Sequence, residues 1–260
     1  DHAGARSILA PIIDDPEQWA IVEAFPDLRT GVAYAVGMGR MLRGDVDGAA
    51  EILRRVEGDV GEADHLRRGL AQVELARGEL EAAARLLDDS PEAARFDRVL
   101  TAQLLWRRGD RRAARDRARR ELTMPIRPED HPWDVAGALQ QAGRILADAG
   151  EIGPAVEASA QMRRLLYGAP DTLPLLTHLA LLEAALERVG GRPEAALNRL
   201  AGLTGLDGTD LAEWHRERAR ALAALGRADE AASTYAAAIE SFSTAGERWE
   251  AQATHDEAGA

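Results

Sequence analysis

The sequence predicts an all-α fold: a right-handed α-solenoid, or superhelix, of about six helix-turn-helix repeats. A Gly–Ala register recurs along the chain, the segments between its copies carry apolar residues at helical spacing, and the composition favours helix over sheet. The register pairs Gly44 with Ala49, Gly78 with Ala83, Gly109 with Ala114, Gly150 with Ala155, Gly190 with Ala195, and Gly226 with Ala231. Successive glycines stand 34, 31, 41, 40 and 36 residues apart, the period of stacked helical hairpins. Glycine just past a helix end can turn left-handed and reverse the chain. The alanine lets the second helix approach the first closely where their axes cross.

The unit is clearest from Arg218 to Phe242. Its first helix ends in Leu222, Ala223, Ala224 and Leu225 before Gly226, and its second carries Ala228, Ala231, Tyr235, Ala238, Ile239 and Phe242 along one face. Earlier second helices repeat the stripe with Val46, Ala49, Leu53 and Val56, then Leu80, Ala83 and Leu87, then Ile152, Ala155 and Met162. Five of the six turns place an acid such as Asp45, Glu79, Asp110, Glu151 or Asp229 near the following helix start, where it meets the positive end of the helix dipole. Asp15-Pro16-Glu17 and Ser90-Pro91-Glu92 read as N-caps with a first-turn proline. Residues 1–25 read as a partial leading repeat, 26–245 as the array, and 246–260 as the start of a further or capping helix. Partial helices are expected at Ala3 to Ile13 and Glu247 to Glu257. The chain opens without Met in sequence already repeat-like, and is expected to be a piece of a longer protein.

Hydrophobic residues make up 46% of the 260, mostly Ala and Leu, with 4% aromatic, so the core must be built from small side chains on helices. There is no Cys, which removes disulfides, thiolate nucleophiles and Cys-zinc sites. All 32 basic residues are Arg, which removes P-loop, Schiff-base and general-base lysines. A net charge of −12 argues against nucleic acid as the partner of this segment. No run is apolar enough to span a bilayer and no signal peptide is visible, so a cytoplasmic location and no membrane association are expected.

The Gly–Ala register resembles that of tetratricopeptide repeats, whose pattern also wants a small residue seven before the turn glycine. Gly37 and Gly143 meet that demand, Tyr235 supplies the aromatic four after the alanine, and Leu53 and Leu87 replace it elsewhere. The resemblance covers residues 26 to 245 and implies first helices on the concave face and second helices on the convex one. A narrower stretch, Phe242, Gly246 and Trp249 followed by Ala251 and Ala253, looks like the last repeat of bacterial LuxR-type large ATP-binding (MalT-like) transcription regulators. In those proteins such repeats form a sensor between a nucleotide switch and a DNA-binding module.

Residues Arg107 to Arg120 hold eight Arg against Asp110 and Asp116. Arg111, Arg112, Arg115 and Arg119 would spread over a helix whose buried strip is Ala114, Ala118 and Leu122. They read either as a dock for an acidic or phosphorylated partner or as a solvated face paired to neighbouring acids. Tyr34, Trp106 and Trp214 are candidate ring anchors, with Tyr34 favoured because Gly37 and Gly39 would leave open backbone around it. His178 and His215 are candidate ligand contacts on first helices, and no two His lie three or four apart, so no helical metal pair exists. No nucleophile elbow or phosphate loop occurs, and neither catalysis nor a cofactor is expected. The expected function is a non-catalytic interaction or effector-sensing module of a bacterial signalling or transcription regulator. A protein, peptide or small molecule would bind in the concave groove. The alternatives are a plain scaffold and an accessory repeat domain of a protease. Exposed repeat ends would favour a homodimer.

Overall fold

In the computed structural model the described residues are 26–56, 64–87, 93–126, 132–167 and 173–259. The helix expected at Ala3 to Ile13, the caps at Asp15-Pro16-Glu17 and Ser90-Pro91-Glu92, and the side chain of Trp133 lie outside them. The described residues form six helical hairpins and one further helix. The hairpins are α1 (Pro26–Leu42) with α2 (Val46–Arg55), α3 (Asp64–Arg77) with α4 (Leu80–Leu86), and α5 (Arg95–Arg107) with α6 (Arg111–Thr123). They continue as α7 (Pro132–Asp148) with α8 (Ile152–Leu166), α9 (Leu173–Val189) with α10 (Pro193–Ala201), and α11 (Gly208–Ala224) with α12 (Ala228–Thr244), before α13 (Arg248–Ala258). Each hairpin packs on the next, making an all-α solenoid of helical repeats.

The reversal inside each hairpin has one chemistry. At Gly226, with φ +72°, the glycine N–H donates to Ala223 O at 2.9 Å and the Arg227 N–H donates to Leu222 O at 3.0 Å. These two bonds satisfy the last carbonyls of the helix and need a left-handed residue between them. The same pair closes the first helices at Gly44, Gly78, Gly109 and Gly150. In the fifth hairpin the turn is one residue later than the sequence suggests. Gly190 still bonds back to Leu186 O as helix, Gly191 takes φ +77°, and the buried partner is Ala196 rather than Ala195. A seventh copy, Gly246 with Ala251, joins α12 to α13.

Small residues set how closely the helices approach. A β-carbon at Gly37 would lie 2.8 Å from Leu53, and one at Gly143 would lie 2.8 Å from Leu182 and 3.1 Å from Ala158. Gly37 is therefore filled by its own hairpin partner and leaves no open backbone beside Tyr34. Asp45 and Asp110 cap their helices, accepting from Gly48 N at 2.9 Å and Ala113 N at 3.1 Å. Glu79 and Glu151 stand at the same position without such a bond. The Glu151 carboxylate instead takes Arg119 at 2.5 Å and Arg115 at 3.7 Å.

The row of hairpins bends until its last helix meets its first repeats. The α13 helix packs on α12 and also on α3. Its turn is wedged against the first hairpin: a β-carbon at Gly246 would lie 3.0 Å from Val46, and one at Gly44 would lie 2.9 Å from the Ala245 Cα. Trp249 covers Gly78, and the Arg107 guanidinium stacks 4.8 Å from the Trp249 ring while bonding Glu250 at 2.9 Å. Arg248 reaches Asp47 at 2.9 Å. Phe242 and Ala251 are buried, and α13 spends its free face on the chain's own N-terminal repeats.

Candidate functional site

Bending of the row leaves a half-open central chamber of about 1390 Å³, lined almost wholly by the first helices α1, α3, α5, α7, α9 and α11 together with α13. Ligand sites are usually concave and about 300–1,000 Å³, so the space suits a small molecule or a short peptide. Its position follows from the repeat. In five of the six hairpins the residue six before the turn glycine lines it, namely Met38, Gln72, Gln103, Arg144 and Arg220, because the same register on these first helices points inward; in the fifth that residue is Ala185, which does not.

One wall is a charge network. Arg144 of α7 pairs with Glu213 and lies 3.8 Å from Glu217. Glu217 also holds Arg188 at 3.2 Å and Arg220 at 2.6 Å, while Arg220 reaches Asp148 at 3.3 Å. Arg220 further grips Glu257 with two parallel bonds of 2.7 and 2.8 Å, and Tyr235 donates to the same carboxylate at 3.0 Å. Glu250 of α13 binds Arg216 and Arg107. Burial opposes ionisation of Glu217, yet Arg220, Arg188, Arg144 and Arg216 outweigh it and hold its pKa at about 2. Glu250 is likewise held at about 2, burial being overcome by Arg216, Arg107 and Arg144. Glu247, at the α12–α13 turn, behaves oppositely. Burial raises its pKa to about 7, with Glu250 and Glu213 adding to the rise against the pull of Arg107 and the hydroxyl of Thr209.

The other wall is uncharged in its depth. Gln72, Gln103, Gln140 and Gln141 line it with Tyr34, Phe96 and Trp106. None of the four amides has a hydrogen-bond partner among the described residues, although Gln140 is only 3% exposed. Gly69 makes room for Tyr34, whose ring meets His65 edge-on at 5.1 Å, and Gly137 makes room for Phe96. Burial first, then Asp134, raises the Tyr34 pKa, so its hydroxyl stays protonated.

The candidate residues separate accordingly. Tyr34, Trp106, Arg111 and His178 face the chamber. Arg111 stacks 3.8 Å from the Trp106 ring. His178 bonds Asp210 at 2.9 Å; burial opposes its protonation, but Asp210 outweighs it and the pKa rises. Arg112, Arg115 and Arg119 lie away from the chamber, the last two paired with Glu151. Trp214 and His215 are on a first helix but do not line the chamber. The Trp214 indole donates to Leu200 O at 2.8 Å within the cluster of Leu181, Leu197 and Leu200. Burial and Arg218 lower the His215 pKa. Sequence reasoning missed the four glutamines and the Arg–Glu network, though alignment on the turn glycine would have exposed the inward register.

A ring of helical hairpins around a lined chamber defines an all-α helical-repeat domain. Residues 40–105 match the family model described as Tetratricopeptide repeat, which supports a tetratricopeptide-repeat domain. The hairpins beyond the match repeat its turn geometry. No curated protein matches the chain. Repeats of this family generally mediate protein–protein interaction.

Proposed function

We propose that this chain is a non-catalytic sensing or interaction module of a cytoplasmic bacterial signalling or transcription regulator, with its effector held in the central chamber. The observation that carries this reading is the shared lining of the chamber. Every first helix contributes to one chamber, and α13 completes its wall. An occupant touching several first helices at once favours one curvature of the row. Any such preference is a coupling free energy, felt equally at the α13 junction and at the chamber. The residues Phe242, Gly246 and Trp249, which prompted the likeness to LuxR-type regulators, all serve that junction: Phe242 is buried under Arg216, and Gly246 and Trp249 pack on the first two hairpins.

The test compares hydrogen exchange and small-angle scattering with and without an effector. Protection of α5, α7 and α13 with a change in radius of gyration is expected. An effector whose footprint lies wholly on the second helices would refute it. A rigid scaffold is the second reading, favoured by the ion network that ties α7, α9, α11 and α13 together. Under that reading a protein partner docks on the exposed Arg112, Arg115 and Arg119 face, and scattering changes only by the partner's mass.

A further inference from the structure

The chamber's two walls make different demands on an occupant, and together they define its chemistry. This inference rests on the chamber being the binding site. Where α9, α11 and α13 face the ends of α5 and α7, each of these guanidinium groups already meets a carboxylate: Arg107 with Glu250, Arg144 with Glu213, Arg188 and Arg220 with Glu217, and Arg216 with Glu250. A phosphate or carboxylate entering there would have to break a pair held in a buried network, which is strongly unfavourable. A cation meets the same obstacle, because Glu217 and Glu250 are saturated by arginines.

The α3–α5–α7 side is the reverse. Its amides at Gln72, Gln103, Gln140 and Gln141 carry unspent donors and acceptors. Gln140 is buried and the other three are half-buried; a buried polar group is ordinarily hydrogen-bonded, and an unpaired one lining a cavity points to a missing partner or to water. The rings of Phe96 and Trp106, both at the ends of α5, line the same chamber. Of the charges that these helices bring to the chamber, Arg107 and Arg144 are paired with Glu250 and Glu213 and Asp148 with Arg220, while Asp134 and the neighbouring Arg111 are exposed. An amide presents donor and acceptor side by side, matching the alternating edge of a nitrogen heterocycle, and an aromatic ring offers its face for stacking.

We infer that the chamber binds an uncharged, flat nitrogen heterocycle of the nucleobase or nucleoside type, read at its edge by Gln103 and Gln140 and stacked on the Phe96 ring, Trp106 being already covered by Arg111. The amides are the recognition elements and the charged wall is a fixed frame.

The experiment is titration of the full chain, labelled at its side-chain amides, with adenosine, adenosine monophosphate and sucrose, followed by NMR. Adenosine should saturably shift the side-chain amide signals of Gln103 and Gln140. Gln103→Leu and Gln140→Leu should each weaken it at least tenfold, with the backbone spectrum unchanged. Because Gln140 is buried, Gln103→Met serves as a second, milder variant and should weaken binding in the same direction. Adenosine monophosphate should bind no tighter than adenosine. Tenfold tighter binding of the phosphate, preference for sucrose, or no shift with any of the three would overturn the inference. If another compound then shifted chamber signals, the chamber would stand as the site and only this ligand class would fall. An effector that shifted convex-face signals alone would remove the chamber reading as well.

Discussion

Glu247 closes the ring at the α12–α13 turn, where its pKa stands at about 7 against an ordinary 4.5. Burial is the main cause. Arg107 of α5 and Thr209 of α11 favour the anion; Glu250 of α13 and Glu213 of α11 disfavour it, and the folded state holds the proton more tightly than the unfolded chain. The resulting stability is present in full below pH 4.5 and is lost as pH rises through 7. That difference corresponds to about 3 kcal/mol. Glu247→Gln keeps a carbonyl to accept from Thr209, 3.4 Å away, and cannot ionise. Urea denaturation at a series of pH values from 4.5 to 8 should show the parent losing stability upward through this window and the variant nearly flat. At pH 8 the variant should be the more stable, by an amount approaching the same ~3 kcal/mol. Equal slopes for the two proteins, or a variant less stable at pH 8, would mean that Arg107 compensates the ionised carboxylate and that the junction is not acid-tightened.

On the acid side the sign reverses. Glu217 and Glu250, both held at about 2, contribute stability above 4.5 that should disappear as pH falls towards 2, seen as loss of helical circular dichroism in that range. Arg107→Ala removes the bond to Glu250 and the stack on Trp249, so hydrogen exchange in residues 246–257 should quicken while α8 and α10 are unaffected. Trp214→Phe deletes the bond to Leu200 O and should cost about 1 kcal/mol by thermal or urea unfolding. It should leave chamber binding unchanged, since Trp214 does not line the chamber.

The helices and their turns are local events, and local sequence records them. A glycine that must turn left-handed and an alanine that must sit at a helix crossing mark each hairpin, and only the fifth turn was misplaced, because Gly190 and Gly191 offer the same chemistry at adjacent positions. Ring closure was not legible. It depends on the small rotation between successive hairpins accumulated over the whole row, and no single segment encodes that sum. Trp249 and Arg107 meet only because α13 returns to α3 and α5. The site divides along the same line. Tyr34, Trp106, Arg111 and His178 line the chamber, whereas Trp214 and His215, on the same kind of helix, do not, Trp214 packing instead beside Leu197 and Leu200. Which side of a first helix faces inward follows from the pitch of its neighbours. The sequence by itself therefore determined a stack of helical hairpins with small-residue crossings. Only the tertiary structure decided that the stack closes, that its charges cancel along one wall, and that four amides stay unspent on the other, because long-range charge pairing and curvature are properties of the assembled ring.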